Sequence, residues 1–347
     1  MIPRSKPFPN RTARLSDSAA DGPQFSEPAA VPGWLRRAVS DAQTLAAQGF
    51  GPNALEDITV TAGAAIGALD HVVRRQERWA GAWRQRLALG AAVVAARQAG
   101  RVEDEAALRD ALLLTRPGDE VGPAGSLLLA WRRLAARPAA DLLTESSLAV
   151  VLEEFCHARD NAVIDDLANE LQKLGAHAGT VGMLTGALAI ADRHGLGRSF
   201  GSWLADVLLA QRLGWTHAVP LLGTQAASGK KTGSRRPDIR IAATSLEPEP
   251  ERAKTLLAAQ ARAALNALDL FAELERRADR LIAVAPKLRA RASDLVVDRL
   301  LADDAIVASQ KFSGMSDRGL RRLFDRLVEL GAVRELSGRP TFRMYGL

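Results

Sequence analysis

The sequence predicts a mainly α protein. It reads as a helical bundle or stacked αα-hairpins, followed by a small C-terminal winged helix-turn-helix with one β-hairpin. Three observations lead there. Ala, Leu and Arg dominate while Ile, Thr, Tyr and Phe are sparse, which favours helix over sheet. Apolar residues recur at helical spacing in segment after segment, separated by short polar or Gly turns. From Ser293 onward the pattern changes to short helices, a turn and two alternating stretches. A chain of 347 residues is long enough for a full core and a second, smaller unit.

Residues 1–30 are polar and aperiodic and read as a disordered tail. A helical domain is expected over 31–225. Pro32 and Gly33 open its first helix, with Trp34, Leu35, Val39 and Leu45, and Gly49 ends it. Asn53 is placed to cap the next helix, with Glu56 in capping-box position. The small residues between Val60 and Val73 suggest close approach of a neighbouring helix. Trp79, Trp83 and Leu87 follow at i, i+4 spacing, the pattern of a core face.

Glu103, Asp104 and Glu105 favour a helix start, where the dipole welcomes acids; Pro117-Gly118-Asp119 ends that helix. Ala124 to Arg137, Thr144 to Ala158, Asn161 to Leu174, Thr180 to His194 and Ser199 to Leu213 give five more helices. No fixed-period repeat supports a regular solenoid. Residues 226–251 are irregular and basic in their first half, a loop or linker. Ile239 and Ile241 alternate with Arg240 as in a short edge strand. A connecting helix over 252–285 buries Leu257, Ala261, Leu265, Leu268 and Phe271/Ala272.

The winged helix-turn-helix is expected over 286–347. Its first helix is Ser293 to Ala302, and its second a short piece from Asp303 or Asp304 to about Gln310. A turn at Phe312-Ser313-Gly314-Met315 leads to Ser316, a good N-cap for the third helix, Asp317 to Leu330. At about 100° per residue, Leu320, Leu323, Phe324 and Leu327 share one face. Arg318, Arg321 and Arg322 fall away from it at the N-terminal end, which a recognition helix inserts into the major groove. Asp325 and Glu329 lie further along. Val333 to Leu336 and Thr341 to Tyr345 then alternate as the strands of a wing, with Arg334, Arg339 and Arg343 facing a phosphate backbone and Arg339 at the tip.

Net charge lends modest support. The formal +6 lies in residues 276–347, with 15 basic against 9 acidic residues, but from Ser293 the count is 9 against 8. The placement of individual arginines therefore carries the DNA-binding expectation. One cysteine, Cys156, excludes an intramolecular disulfide and points to a reducing cytoplasm. The N-terminus has no apolar stretch typical of a secretory signal, and no apolar run approaches the ~20 residues of a membrane span.

Other motifs carry little. Gly223 to Thr232 resembles a phosphate-binding loop, but five residues, not four, separate Gly223 from Gly229, so nucleotide binding is not expected. Glu154-x-x-His157 is half of a di-iron bundle site without its second half. No metal, cofactor or small-molecule ligand is expected. One tyrosine and few phenylalanines argue against single-stranded RNA.

The stretches AGAWRQRL to RRLAARP (80–138), LGWTHAVPLL (213–222) and DRGLRRLFDRLVELGAVRELSGRPTFRMYGL (317–347) resemble the bacterial family known as domain of unknown function number 1403. That resemblance covers nearly all of the chain after about residue 30. It implies soil alphaproteobacteria, often plasmid-borne, and no assigned activity. The C-terminal piece is also similar to the winged helix that follows the catalytic domain in many Fic-type proteins. The Fic motif HPFxxGNGR is absent, so adenylylation is not implied. The resulting expectation is a non-enzymatic cytoplasmic protein that binds double-stranded DNA through Ser316, Arg318, Arg321, Arg322, Arg334, Arg339 and Arg343. Its helical body would mediate homo-oligomerisation or sense a partner. The alternative is a helical adaptor whose winged helix contacts protein.

Overall fold

The helices follow one another in a single order, and most pack on their sequence neighbours. A computed structural model describes residues 31–48, 54–116, 118–225, 250–288 and 292–347. Among these, α1 is Gly33–Gln48, α2 Ala54–Arg74, α3 Ala80–Gln98, α4 Glu105–Leu113, α5 Gly122–Ala136 and α6 Glu145–Glu154. They are followed by α7 Asn161–His177, α8 Thr180–Arg193, α9 Gly197–Leu213, α10 Pro250–Val284, α11 Ser293–Ala302 and α12 Asp317–Glu329. Three short strands, β1 Ile306–Val307, β2 Arg334–Glu335 and β3 Met344–Gly346, complete the described chain. The tail over 1–30, the Asn53 cap and the basic stretch of 226–249 lie outside the described residues.

Side-chain caps fix several helix starts. Asp104 accepts the Ala107 N–H at 2.9 Å at the head of α4, and Asp160 accepts that of Ala162 at 2.9 Å at the head of α7. Each satisfies a backbone donor that the first turn leaves without an intrahelical partner. Thr144 caps α6 in the same way.

The stretch read as a connector over 252–285 lies inside the body. As α10 it packs along α2 and α1 and buries its apolar stripe from Leu256 to Leu281. Phe271 on α10 meets Trp79 at 4.1 Å and Trp83 edge-on at 5.4 Å between ring centroids. The Trp83 indole N–H donates to the Ala267 carbonyl at 2.9 Å, so a buried polar group stays satisfied. The small-residue stretch of α2 works through its alanines. Ala62 and Ala65 are buried, whereas Gly63 and Gly67 have nothing within 4 Å of where a Cβ would sit.

A second aromatic row, Trp131, Phe155, Phe200 and Trp203, runs through the α5–α9 side at centroid spacings of 5.5 to 6.2 Å. Gly223 lies against Trp131 so closely that any Cβ would collide with the indole ring. The first glycine of the phosphate-loop lookalike is thus a packing glycine. Next to it, the buried Asp206 carboxylate of α9 accepts the N–H groups of Leu221 at 2.8 Å, Leu222 at 3.0 Å and Gly223 at 3.4 Å.

The expected second helix of the C-terminal unit, from Asp303 or Asp304 to about Gln310, is not formed. Ile306 and Val307 are instead strand β1, paired antiparallel with Tyr345 and Met344 of β3. Two β-branched residues in a run too short for a helical turn favour the pleated strand. The expected hairpin forms, but with shorter strands: Arg334 pairs with Gly346 and Glu335 with Tyr345. The sheet order is β1-β3-β2. The C-terminal elements share one continuous core with the body.

Candidate nucleic-acid interface

Helix α12 presents two chemically opposite faces. Ser316 accepts the Gly319 N–H at 3.1 Å and starts the helix. Leu320, Leu323, Phe324 and Leu327 are buried, and Phe324 stacks on Tyr345 of β3 with centroids 4.2 Å apart. Burying four such side chains stabilises the seating by about 1.5–3 kcal/mol each. That seating fixes which residues face outward. Arg318, Arg321 and Arg322 are exposed, and among the described residues they make no ion pair or hydrogen bond. The distal turns are acidic: Asp325 is exposed, and Glu329 pairs with Arg326 at 2.6 Å.

Two clefts flank α12. On the side of the β2–β3 hairpin, a cleft of about 410 Å³ has Arg321 and Asp325 on one wall and Phe342 and Arg343 on the other. Arg343 approaches Glu335 at 3.9 Å. Phe342 is 64% exposed and has φ +52°, an unfavourable conformation for a bulky residue. On the opposite side, a groove of about 610 Å³ separates α12 from the end of α10.

The arginines of the expected wing do not act as one group. Arg334 is exposed on β2. Arg339 is not a free tip: its guanidinium grips Asp110 of α4 in a bidentate pair, both contacts at 2.6 Å. Hydrogen bonding to Asp110 raises the Arg339 pKa above its ordinary value. The structure therefore brings Arg318, Arg321 and Arg322 together on one face, leaves Arg343 across a cleft from Arg321, and turns Arg339 towards the body.

The joint beneath this unit was not visible in the sequence pattern. Asp303 and Asp304, read there as a helix start, receive arginines from three helices of the body. Arg86 of α3 and Arg109 of α4 both bond the Asp304 carboxylate, Arg109 at 2.6 Å. Arg132 of α5 bonds Asp303 at 2.9 Å. Burial pushes the Asp304 carboxyl up, but Arg86 and Arg109 outweigh it and hold the group below the usual carboxylate range. Arg86 and Arg277 also donate to the Leu347 carbonyl. Glycine at 81 and 346 lets the backbones meet here: a Cβ on Gly81 would stand 2.7 Å from the Ala302 oxygen, and one on Gly346 would strike that of Asp304.

The metal-like motif separates. Helix α6 ends at Glu154, which pairs with Arg133 at 2.5 Å, while the His157 ring nitrogen Nε2 lies 3.0 Å from the Leu196 carbonyl oxygen. Among the described residues, no three His, Cys, Asp or Glu side chains converge as a metal site would require. Among them too, no helix is long and apolar enough to cross a membrane.

Fold and face together define a mainly helical protein that ends in a small antiparallel sheet supporting an amphipathic helix. The chain belongs to the DUF1403 family of proteins of unknown function, which it matches over residues 22–347. Searches of curated proteins and of solved structures each give no match.

Proposed function

We propose that the C-terminal elements are a winged helix that binds double-stranded DNA through α12, and that the protein has no catalytic activity of its own. The observation that carries this reading is the trio Arg318, Arg321 and Arg322, unpaired among the described residues, on the exposed N-terminal half of a helix whose other face is buried. The order α11–β1–α12–β2–β3, with β3 central in the sheet, supports the winged reading. An α-helix fits the major groove, and phosphate contacts by arginine give salt-dependent affinity. The test is fluorescence anisotropy on a short random-sequence duplex across a salt series. The wild type should bind with a steep salt slope, and Arg321→Ala with Arg322→Ala should weaken binding and flatten that slope. Absence of salt-sensitive binding by the wild type overturns the reading.

A second reading is an adaptor whose C-terminal unit contacts protein. Arg339 is already satisfied by Asp110, and an exposed aromatic, Phe342, stands at the cleft lip. A partner that depends on Phe342 and binds in the absence of nucleic acid would favour it.

A further inference from the structure

We infer that the groove between the end of α10 and α12 is a second phosphate-contacting wall of the duplex interface, with Lys287 as its principal residue. The inference rests on the duplex-binding reading and extends it to a residue outside the 293–347 stretch.

A helix about 10–12 Å wide lying in a groove of similar width has a sugar-phosphate backbone on each flank. Both sides of α12 then meet negative charge. On the wing side, Arg321 and Arg343 face each other across the cleft. The other side is lined by Val284, Lys287, Leu288, Arg322, Leu323 and Arg326, with Gly319 and Leu330 at its ends. No carboxylate is among those lining residues. Arg326 is drawn to Glu329 at the outer lip, so Lys287 and Arg322 are the cations it leaves.

Lys287 is exposed and has no ion-pair partner among the described residues. It stands in a short 3₁₀ turn, Ala285–Lys287, at the foot of α10. Because α10 is seated in the body, Lys287 is placed by the helical body, whereas Arg322 is placed by α12 itself. The floor of Val284, Leu288 and Leu323 gives an ammonium stem apolar surface to lie on while its head reaches outward. Strand flanks of opposite polarity would not suit a duplex; two cation-bearing flanks do.

The experiment compares full-length wild type, Lys287→Ala, Lys287→Glu, the double variant Arg321→Ala with Arg322→Ala, and Arg159→Ala, whose exposed side chain lies far along the chain on the body. Each is titrated with the same short duplex over a salt series, after circular dichroism has shown the fold unchanged. The expected result for Lys287→Ala is a several-fold loss of affinity at low salt and a salt slope shallower by about one. Lys287→Glu should lose more, and Arg159→Ala nothing. If the wild type binds and the double arginine variant fails, but both Lys287 variants bind within twofold of wild type, this inference falls and the duplex reading stands. If the wild type itself does not bind duplex, both fall together.

Discussion

Arginine has opposite fates at the joint and on the outer face of the C-terminal unit. At the joint, Arg86, Arg109 and Arg132 come from three helices of the body and end on two adjacent buried aspartates. On α12, Arg318, Arg321 and Arg322 have no partner among the described residues. The first set is neutralised and serves architecture. The second keeps its charge, which costs little in water and leaves it available to a polyanion. Side-chain type alone does not distinguish the two sets; the deciding factor is whether an acid from elsewhere in the chain reaches them.

The largest effect should come from breaking the joint. Asp304→Ala leaves the buried Arg109 and the half-buried Arg86 without their shared carboxylate and should cost about 3 kcal/mol, read as a lower urea midpoint. The sign of its pH dependence follows from its depressed pKa. The stabilisation is present above the ordinary carboxylate value and is lost as pH falls through the lower folded value. The wild type should therefore lose stability in acid more steeply than Asp304→Ala; parallel acid limbs would show that the pair contributes nothing.

Removing charge from the face should act on binding and spare the fold. Arg321→Ala with Arg322→Ala should lower duplex affinity by roughly ten- to a hundredfold, about 1.4–2.7 kcal/mol, with no change in urea midpoint. A fall in stability instead would assign these arginines to the architecture.

Asp206 sharpens the comparison from a third place, a buried carboxyl group hydrogen-bonded to backbone amides and, among the described residues, to no arginine. Burial pushes its pKa up to about 7, against the pull of three backbone N–H groups. Here the folded state holds the proton more tightly than the unfolded one. Its contribution is complete below the ordinary carboxylate pKa of about 3.9 and is lost as pH rises through about 7. Asp206→Asn should cost on the order of 1–3 kcal/mol near pH 5 and less near pH 8, because asparagine does not titrate. A constant difference between those two pH values would contradict the assignment.

The smallest effect is expected at Asp110. Its pair with Arg339 lies at the surface, where ion pairs contribute little to stability. Asp110→Ala should leave the urea midpoint unchanged and speed hydrogen exchange at the backbone of residues 336–343. Unchanged exchange would mean that the β2–β3 hairpin is held by its strands alone.

Helices with local signals were legible from the sequence. Ser293 to Ala302 and the Ser316 cap are found where caps and spacing put them. The core face of Leu320, Leu323, Phe324 and Leu327 is likewise the one the spacing gives. What failed depended on distant partners. Asp303 and Asp304 have the local look of a helix start; Arg299 pairs with Asp303 from one turn away, but the body arginines that reach them lie some 170 to 220 positions away. Strand β1 has only two residues and exists because β3 lies beside it. Arg339 sits in a turn-like Ser-Gly-Arg-Pro run, and nothing nearby announces Asp110. The one local clue was the pair of acids running straight into Ala305-Ile306-Val307, an apolar stretch that gives carboxylates no water.

The buried aspartates also fix a direction. With arginines from α3, α4 and α5 converging on Asp303 and Asp304, α12 inherits its heading from the body instead of hanging on a tether. Two copies joined through their helical bodies would hold their two α12 helices at one set separation and one set angle. If α12 binds duplex as proposed, that geometry would count base pairs: half-sites at the matching helical phase would be bridged, and half-sites shifted by half a turn would face the wrong side.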